Sequence, residues 1–174
     1  MTLFFTADEH HGHPNIIEYC NRPFKNEQRM TRELISRHNQ VVTEKDIVYH
    51  LGDFAWGGPE RSNYVRNILN KLNGTHILIL GNHDDIKPFN YVKVGFQSVH
   101  TSLWLNIDDY IIIMAHDPSI WTALSRSDAI FLHGHIHELY KSFKNKRVVN
   151  VGVDVWDFYP IPLIRILREL GLER

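Results

Sequence analysis

Aspartate, asparagine and histidine recur in this chain at one kind of place, the point where an apolar run stops. Leu3 to Ala7 runs into Asp8-Glu9-His10, Ile47 to Leu51 into Gly52-Asp53, and Ile77 to Leu80 into Gly81-Asn82-His83-Asp84. Tyr110 to Ala115 stops at His116, and Ala129 to Leu132 is followed by His133-Gly134-His135-Ile136-His137. Carboxylate and amide oxygens together with imidazole nitrogens are the donor set of a divalent transition metal. Each block alone is also what a turn after a strand looks like, because Asp and Asn form turns and a lone histidine is commonly a packed residue. Five such endings in one small chain exceed what turn preference supplies. The 12 histidines are the one composition value that stands out, and histidine is the usual ligand and proton carrier near neutral pH.

The apolar runs that precede these blocks are rich in β-branched and aromatic residues and read as buried strands, with Val148 to Val153 as a sixth. Between the first two, Met30, Leu34, His38 and Val41 keep the three-to-four spacing of an amphipathic helix. A second helix is expected from Pro59, turning Tyr64, Ile68, Leu69 and Leu72 inward and stopping at Asn73-Gly74. After Phe96 the pattern shifts to shorter strands with turn residues at Asp108-Asp109 and Lys144-Asn145-Lys146, which predicts mainly hairpins. Pro162 to Leu170 again has helical spacing and is expected to close the core. The carboxyl ends of strands in an open α/β sheet share one rim where ligands bind, so these elements would gather the five blocks around one crevice.

The length of 174 residues predicts one α/β domain over residues 1–174, with mixed sheets and no repeat or linker. Lys and Arg number 19 against 20 Asp and Glu, a net charge of -1, so no global basic field recruits nucleic acid or an anionic membrane. The single Cys20 forms no internal disulfide and no cysteine-based zinc site. Asp8 comes too early for a signal peptide, and no apolar run approaches the roughly 18 residues of a spanning helix. A cytoplasmic protein without a membrane partner is the expectation.

Taken in order, Asp8-x-His10, Gly52-Asp53, Gly81-Asn82-His83-Asp84, His116 and Gly134-His135-Ile136-His137 resemble the five-block signature of the calcineurin-like metallophosphoesterase superfamily. Asp8 to Ile17 together with Asn21-Arg22-Pro23-Phe24 resembles, more narrowly, a group of short bacterial and phage phosphoesterases. The resemblance implies a four-layer α/β/β/α sandwich with two mixed β-sheets and a two-metal site that hydrolyses phosphate esters. By that pattern Asp8, His10 and His137 hold one metal, Asn82, His116 and His135 the other, and Asp53 bridges both. Phe54-Ala55-Trp56 stands where protein Ser/Thr phosphatases carry a further Asp and Arg-Gly, which argues against a phosphoprotein substrate.

Such a donor set, without thiolate, suits manganese, iron, zinc, nickel or cobalt, with manganese the expected ion. Two divalent ions less the charges of Asp8, Asp53 and a bridging hydroxide leave a centre about one unit positive, which attracts phosphate and prepares the hydroxide for in-line attack. His83, next to a ligand but not one, would assist the leaving oxygen, with Asp84 orienting its ring or else capping a turn. Arg22 is a candidate clamp for a substrate phosphate, with a solvated loop arginine as the alternative. His11 and His13 are candidates for the substrate side or for the loop alone, Asn150 and Asp154 for support of the site, and His133 for a structural role. The leading expectation is a phosphoesterase acting on a small phosphorylated molecule, a diester or monoester, through an open, shallow pocket. A metal-dependent nuclease is the rival enzyme, disfavoured by the missing basic face. A non-catalytic binding scaffold is the rival from another class, disfavoured because every block position is filled.

Overall fold

The computed structural model describes residues 1–56, 62–84, 88–124 and 128–173. Two five-stranded sheets organise it. The first has the order β10-β1-β2-β3-β4, built from β1 (Leu3–Thr6), β2 (Ile47–Leu51), β3 (Thr75–Ile79), β4 (Ser98–His100) and β10 (Ile161–Pro162), with β1 to β4 parallel and β10 an antiparallel edge. The second has the order β5-β6-β7-β9-β8, from β5 (Ser102–Ile107), β6 (Tyr110–Ala115), β7 (Ala129–His133), β8 (Ser142–Phe143) and β9 (Val148–Asn150). Here the expectation of hairpins is corrected. Hairpins close the two edges, β5 with β6 and β8 with β9, whereas β6, β7 and β9 run parallel, with α5 (Ser119–Leu124) between β6 and β7.

Strand parity builds the layers. Phe5, Tyr49, Leu51 and Ile79 face Ile112, Met114, Ile130 and Leu132 across the space between the sheets and form the main core. The alternate residues point outward. Leu78 packs under α3 (Ser62–Leu69) and α4 (Pro88–Val94), and Ile113 and Phe131 pack with Trp121 of α5. Helix α2 (Glu27–Val41) starts where the Asn26 side chain accepts the Arg29 N–H at 2.9 Å and buries Met30, Leu34 and His38. The short α1 (Ile16–Tyr19) packs Ile16 against Met30 and Leu34. Helix α6 (Leu163–Leu170) adds Ile166, Leu167 and Leu170 to the core between the sheets, as its spacing predicts. The predicted start of α3 at Pro59 lies outside the described residues. Among the described residues no helix is long and apolar enough to cross a membrane.

The sheets meet at their carboxyl ends. The chain leaving β1 stays paired with the chain leaving β2, through Asp8 N–H to Gly52 O at 3.0 Å and His10 N–H to Asp53 O at 2.9 Å. Ala7 also bridges Gly152, and Gly134 N–H donates to His116 O at 3.0 Å. The five sequence blocks therefore converge on one rim.

Candidate metal centre

Asp8, His10, Asp53 and His116 are buried, while Asn82 and His135 reach solvent at the rim. His116 Nδ1 faces Leu51 O at 2.8 Å, so the imidazole donates there and leaves Nε2 free to face inward. Around that nitrogen lie Asn82 Oδ1 at 3.0 Å, His135 Nδ1 at 3.2 Å and Asp53 Oδ2 at 3.4 Å, and Asn82 Oδ1 is 2.9 Å from His135 Nδ1. Four lone-pair atoms thus crowd one small volume. Asp8, His10 and His137 form a second group whose donor atoms lie within 4.8 Å of one another. His10 is 1% exposed and neither of its ring nitrogens has a hydrogen-bond partner, an arrangement that a cation would satisfy. Asp53 Oδ2 is 3.5 Å from His10 Nε2 and 3.4 Å from His116 Nε2, so one carboxylate oxygen stands between the two groups.

The charges of this centre suit cations. Burial pushes the Asp8 carboxyl up to about 7 against the pull of His116 and His137. Burial also acts to raise Asp53, but hydrogen bonding and charge from His116, with His10, outweigh it and hold Asp53 down to about 2. Burial disfavours protonated His116, yet Asp53 and Asp8 overcome it and push the ring up to about 9. Protons gather where divalent ions would displace them, and the donor set fits such ions.

The local backbone is shaped for this purpose. Among the described residues, ten that are not glycine have positive φ, and five of them are Asp8, His10, Asp53, His135 and His137. Left-handed backbone is costly for side-chain-bearing residues and concentrates at functional sites. Glycine fills the tightest approaches. A Cβ on Gly134 would sit 2.6 Å from Ala7 Cβ and 2.7 Å from Asp8 Oδ2, and a Cβ on Gly81 would collide with the Asp53 carboxylate.

Around these residues the structure assigns supporting positions that the sequence left open. Asp154 accepts from His137 Nδ1 at 3.0 Å and from Arg22 through Nε at 2.8 Å and Nη2 at 2.9 Å. Arg22 also donates to Asp8 O at 2.7 Å and Glu9 O at 3.1 Å, and its side chain is fully buried. The expectation of a phosphate clamp is therefore corrected: the guanidinium is spent on the loop that bears Asp8 and His10. Asp84 is corrected as well. It accepts the N–H groups of Asp53 at 2.7 Å, Gly81 at 2.9 Å and Phe54 at 3.2 Å and the Tyr91 hydroxyl at 3.2 Å, tying the Asp53 and Asn82 loops together rather than orienting the His83 ring. Asn150 Nδ2 donates to His137 O at 2.7 Å and Tyr140 O at 3.0 Å, bracing the histidine loop, and His133 lies buried between Gly134 O and the Tyr140 hydroxyl.

His83 is exposed, donates its backbone N–H to Asp53 Oδ1 at 2.9 Å, and places its ring 5.5 Å from those of His10 and Trp56. These rings line a cleft of about 600 Å³ beside the metal candidates, together with His13, Tyr19, His135 and His137. His11 points the other way, into the interior against Phe54. There a set of buried groups forms that sequence reading missed. His50 contacts Glu9 at 2.5 Å and His76 at 3.0 Å, beneath His38, whose Nε2 meets Asn73 O at 2.9 Å. Strand parity was the available signal, since His50 and His76 alternate with the core-facing residues of β2 and β3 and so point toward α2.

The family model of the calcineurin-like phosphoesterase superfamily domain matches residues 1–157. An uncharacterized protein of Methanocaldococcus jannaschii is 34% identical over 178 residues, spanning 95% of this chain and 89% of the relative. A protein of unknown function from Aquifex aeolicus has the same fold, with a TM-score of 0.77 at 24% identity over 97% of this chain and 98% of that one. An archaeal phosphodiesterase superposes with a TM-score of 0.55 at 20% identity, covering 87% and 84% of the two chains, which again speaks to fold alone. With the blocks in order, their side chains gathered on one rim and the family model spanning most of its length, this chain belongs to the calcineurin-like phosphoesterase superfamily.

Proposed function

We propose that the protein is a dinuclear metal-dependent phosphoesterase hydrolysing phosphodiester or phosphomonoester bonds of small molecules. The observation that carries this reading is the position of Asp53 Oδ2, 3.5 Å from His10 Nε2 on one side and 3.4 Å from His116 Nε2 on the other. Asp8, His10 and His137 would hold one ion, Asn82, His116 and His135 the other, with Asp53 shared. Divalent ions bound there supply Lewis acidity that makes water a nucleophile near neutral pH and offsets charge on the phosphoryl oxygens. Manganese is our choice for the ion.

The chain's own residues do the rest. Asp154 fixes the His137 ring, and Leu51 O fixes His116. The two N–H contacts from His135 to the Asp8 oxygens, both 3.0 Å, hold that carboxylate in place. His83 stands exposed at the cleft, outside both donor groups, where its ring can hand a proton to the departing oxygen. The test is turnover of bis(p-nitrophenyl) phosphate after reconstitution with manganese, beside Asp53→Asn. Turnover in the wild type and its loss in the variant support the reading; no turnover of this diester or of p-nitrophenyl phosphate by wild-type protein carrying two equivalents of manganese, iron, zinc, nickel or cobalt sinks it.

A further inference from the structure

The cleft holds more than the metal donors require. Its wall includes Trp56, Tyr19 and Leu139, which are 36%, 68% and 76% exposed, with Ile16 and Ile136 beside them. Large apolar side chains kept in water beside an otherwise polar centre need a reason. Trp56 is also fixed rather than adrift. Its backbone N–H donates to His11 O at 3.0 Å, and the His13 ring, itself 6% exposed, backs the indole with centroids 3.9 Å apart. The His83 ring lies 5.5 Å from the same indole, so a group seated on Trp56 lies next to the site of bond cleavage.

Charge narrows the occupant. Among the described residues that line the cleft there is no Lys or Arg, and Glu138 supplies a carboxylate. A second phosphate of a polyphosphate or polynucleotide would find no cationic side chain among these described lining residues and would meet the Glu138 carboxylate. A flat π-surface, by contrast, finds an aromatic platform, and stacking on such a platform is worth about a factor of ten or more per base.

We propose that Trp56 is the stacking platform for a flat aromatic group of the substrate, and that the site selects singly charged phosphodiesters bearing a nucleobase or simple aryl group. This rests on the phosphoesterase reading above. Trp56 touches the substrate and sets specificity; it takes no part in the metal donor set.

The experiment measures binding by calorimetry to the manganese-reconstituted protein and, separately, inhibition of bis(p-nitrophenyl) phosphate turnover. Three singly charged diesters serve as probes: the methyl ester of adenosine 5′-monophosphate, methyl phenyl phosphate and dimethyl phosphate. Wild-type protein should bind the two aromatic esters about tenfold or more tightly than dimethyl phosphate. Trp56→Ala should bring all three to within about twofold, and Trp56→Phe should restore most of the difference, with metal content unchanged in both. A tighter adenosine ester identifies the nucleobase as the recognised group, and equal aromatic esters identify a generic aryl group. Equal binding of all three by wild type, or a preference that survives Trp56→Ala, overturns the proposal. The two readings fail separately: aromatic preference without turnover of any ester removes the catalytic reading alone, whereas turnover without aromatic preference removes this one alone.

Discussion

Replacing Asp154 with Asn removes a carboxylate that serves both a buried ion pair and a candidate metal donor. In the wild type it forms a two-bond ion pair with Arg22 at 2.8 and 2.9 Å, with side-chain exposures of 0% and 3%, and it accepts from His137 at 3.0 Å. Burial acts to raise the Asp154 carboxyl, but His137 and Arg22 outweigh it and hold it below the usual carboxylate range. The variant keeps one oxygen but leaves the guanidinium buried without a counter-charge, an event that costs about 3–5 kcal/mol. It also takes the carboxylate from the His137 ring, which should weaken metal binding about 10- to 100-fold. Urea unfolding in the presence of a chelator reads the first effect, and metal titration of the native protein reads the second. A double variant, Arg22→Met with Asp154→Leu, separates them, because removing both charges should restore part of the stability, the Asp8 and Glu9 carbonyls staying without their donor, and none of the metal affinity. A loss below about 1 kcal/mol in Asp154→Asn, or recovery of metal affinity in the double variant, would refute the reasoning.

Asp53→Asn should lower the affinity for both ions while Asn82→Ala weakens mainly one, as elemental analysis after manganese loading will show; equal loss of both in Asn82→Ala contradicts the donor assignment. His83→Ala should keep two ions and lose about 10²- to 10⁴-fold in turnover, more on alkyl than on nitrophenyl esters, and loss of an ion would remove its assignment as a non-ligand. His38 gives a pH test away from the metal donors. Burial, opposed by the bond to Asn73 and aided by His50, lowers it from 6.5 to about 4. The unfolded chain therefore binds a proton that the folded one refuses between these values, so this contribution is complete above pH 6.5 and is lost as pH falls toward 4. His38→Gln, which keeps an N–H for Asn73 O, should flatten the slope of unfolding free energy against pH by up to about 1.4 kcal/mol per unit within that window. Parallel slopes for variant and wild type in chelator-treated samples would count against it.

The residues that gather on the rim were legible because their signal is local: a buried strand stops and a polar residue follows, at Asp8, Asp53, Asn82, His116 and His135. The strands of the parallel centre were legible for the same reason, since runs such as Ile47 to Leu51 are apolar on both faces. What escaped depends on distance along the chain. Arg22 and Asp154 are separated by 132 positions, and nothing near either residue announces the pair. Asp84 reads locally as a turn or cap, and only the closing of the Asp53 loop over it adds the N–H groups of Asp53 and Phe54 to the local one of Gly81. The parallel pairing of β6 with β7 is likewise a tertiary fact, because α5 has only six residues and little periodicity to display.

The left-handed backbone at Asp8, His10, Asp53, His135 and His137 places the candidate donors in opposition to the fold that carries them. Glycine would be the comfortable residue at each of these positions, so His137→Gly should relieve about 1 kcal/mol of backbone strain in the metal-free protein even as it deletes a donor. Backbone strain at these positions therefore works against the side chains that the candidate site uses, leaving contacts such as His137 with Asp154 to offset it. A lineage that abandoned catalysis would be expected to keep the sandwich and lose first the residues that strain it. The five side chains carried on left-handed backbone mark positions at which this chain departs from what folding alone would choose.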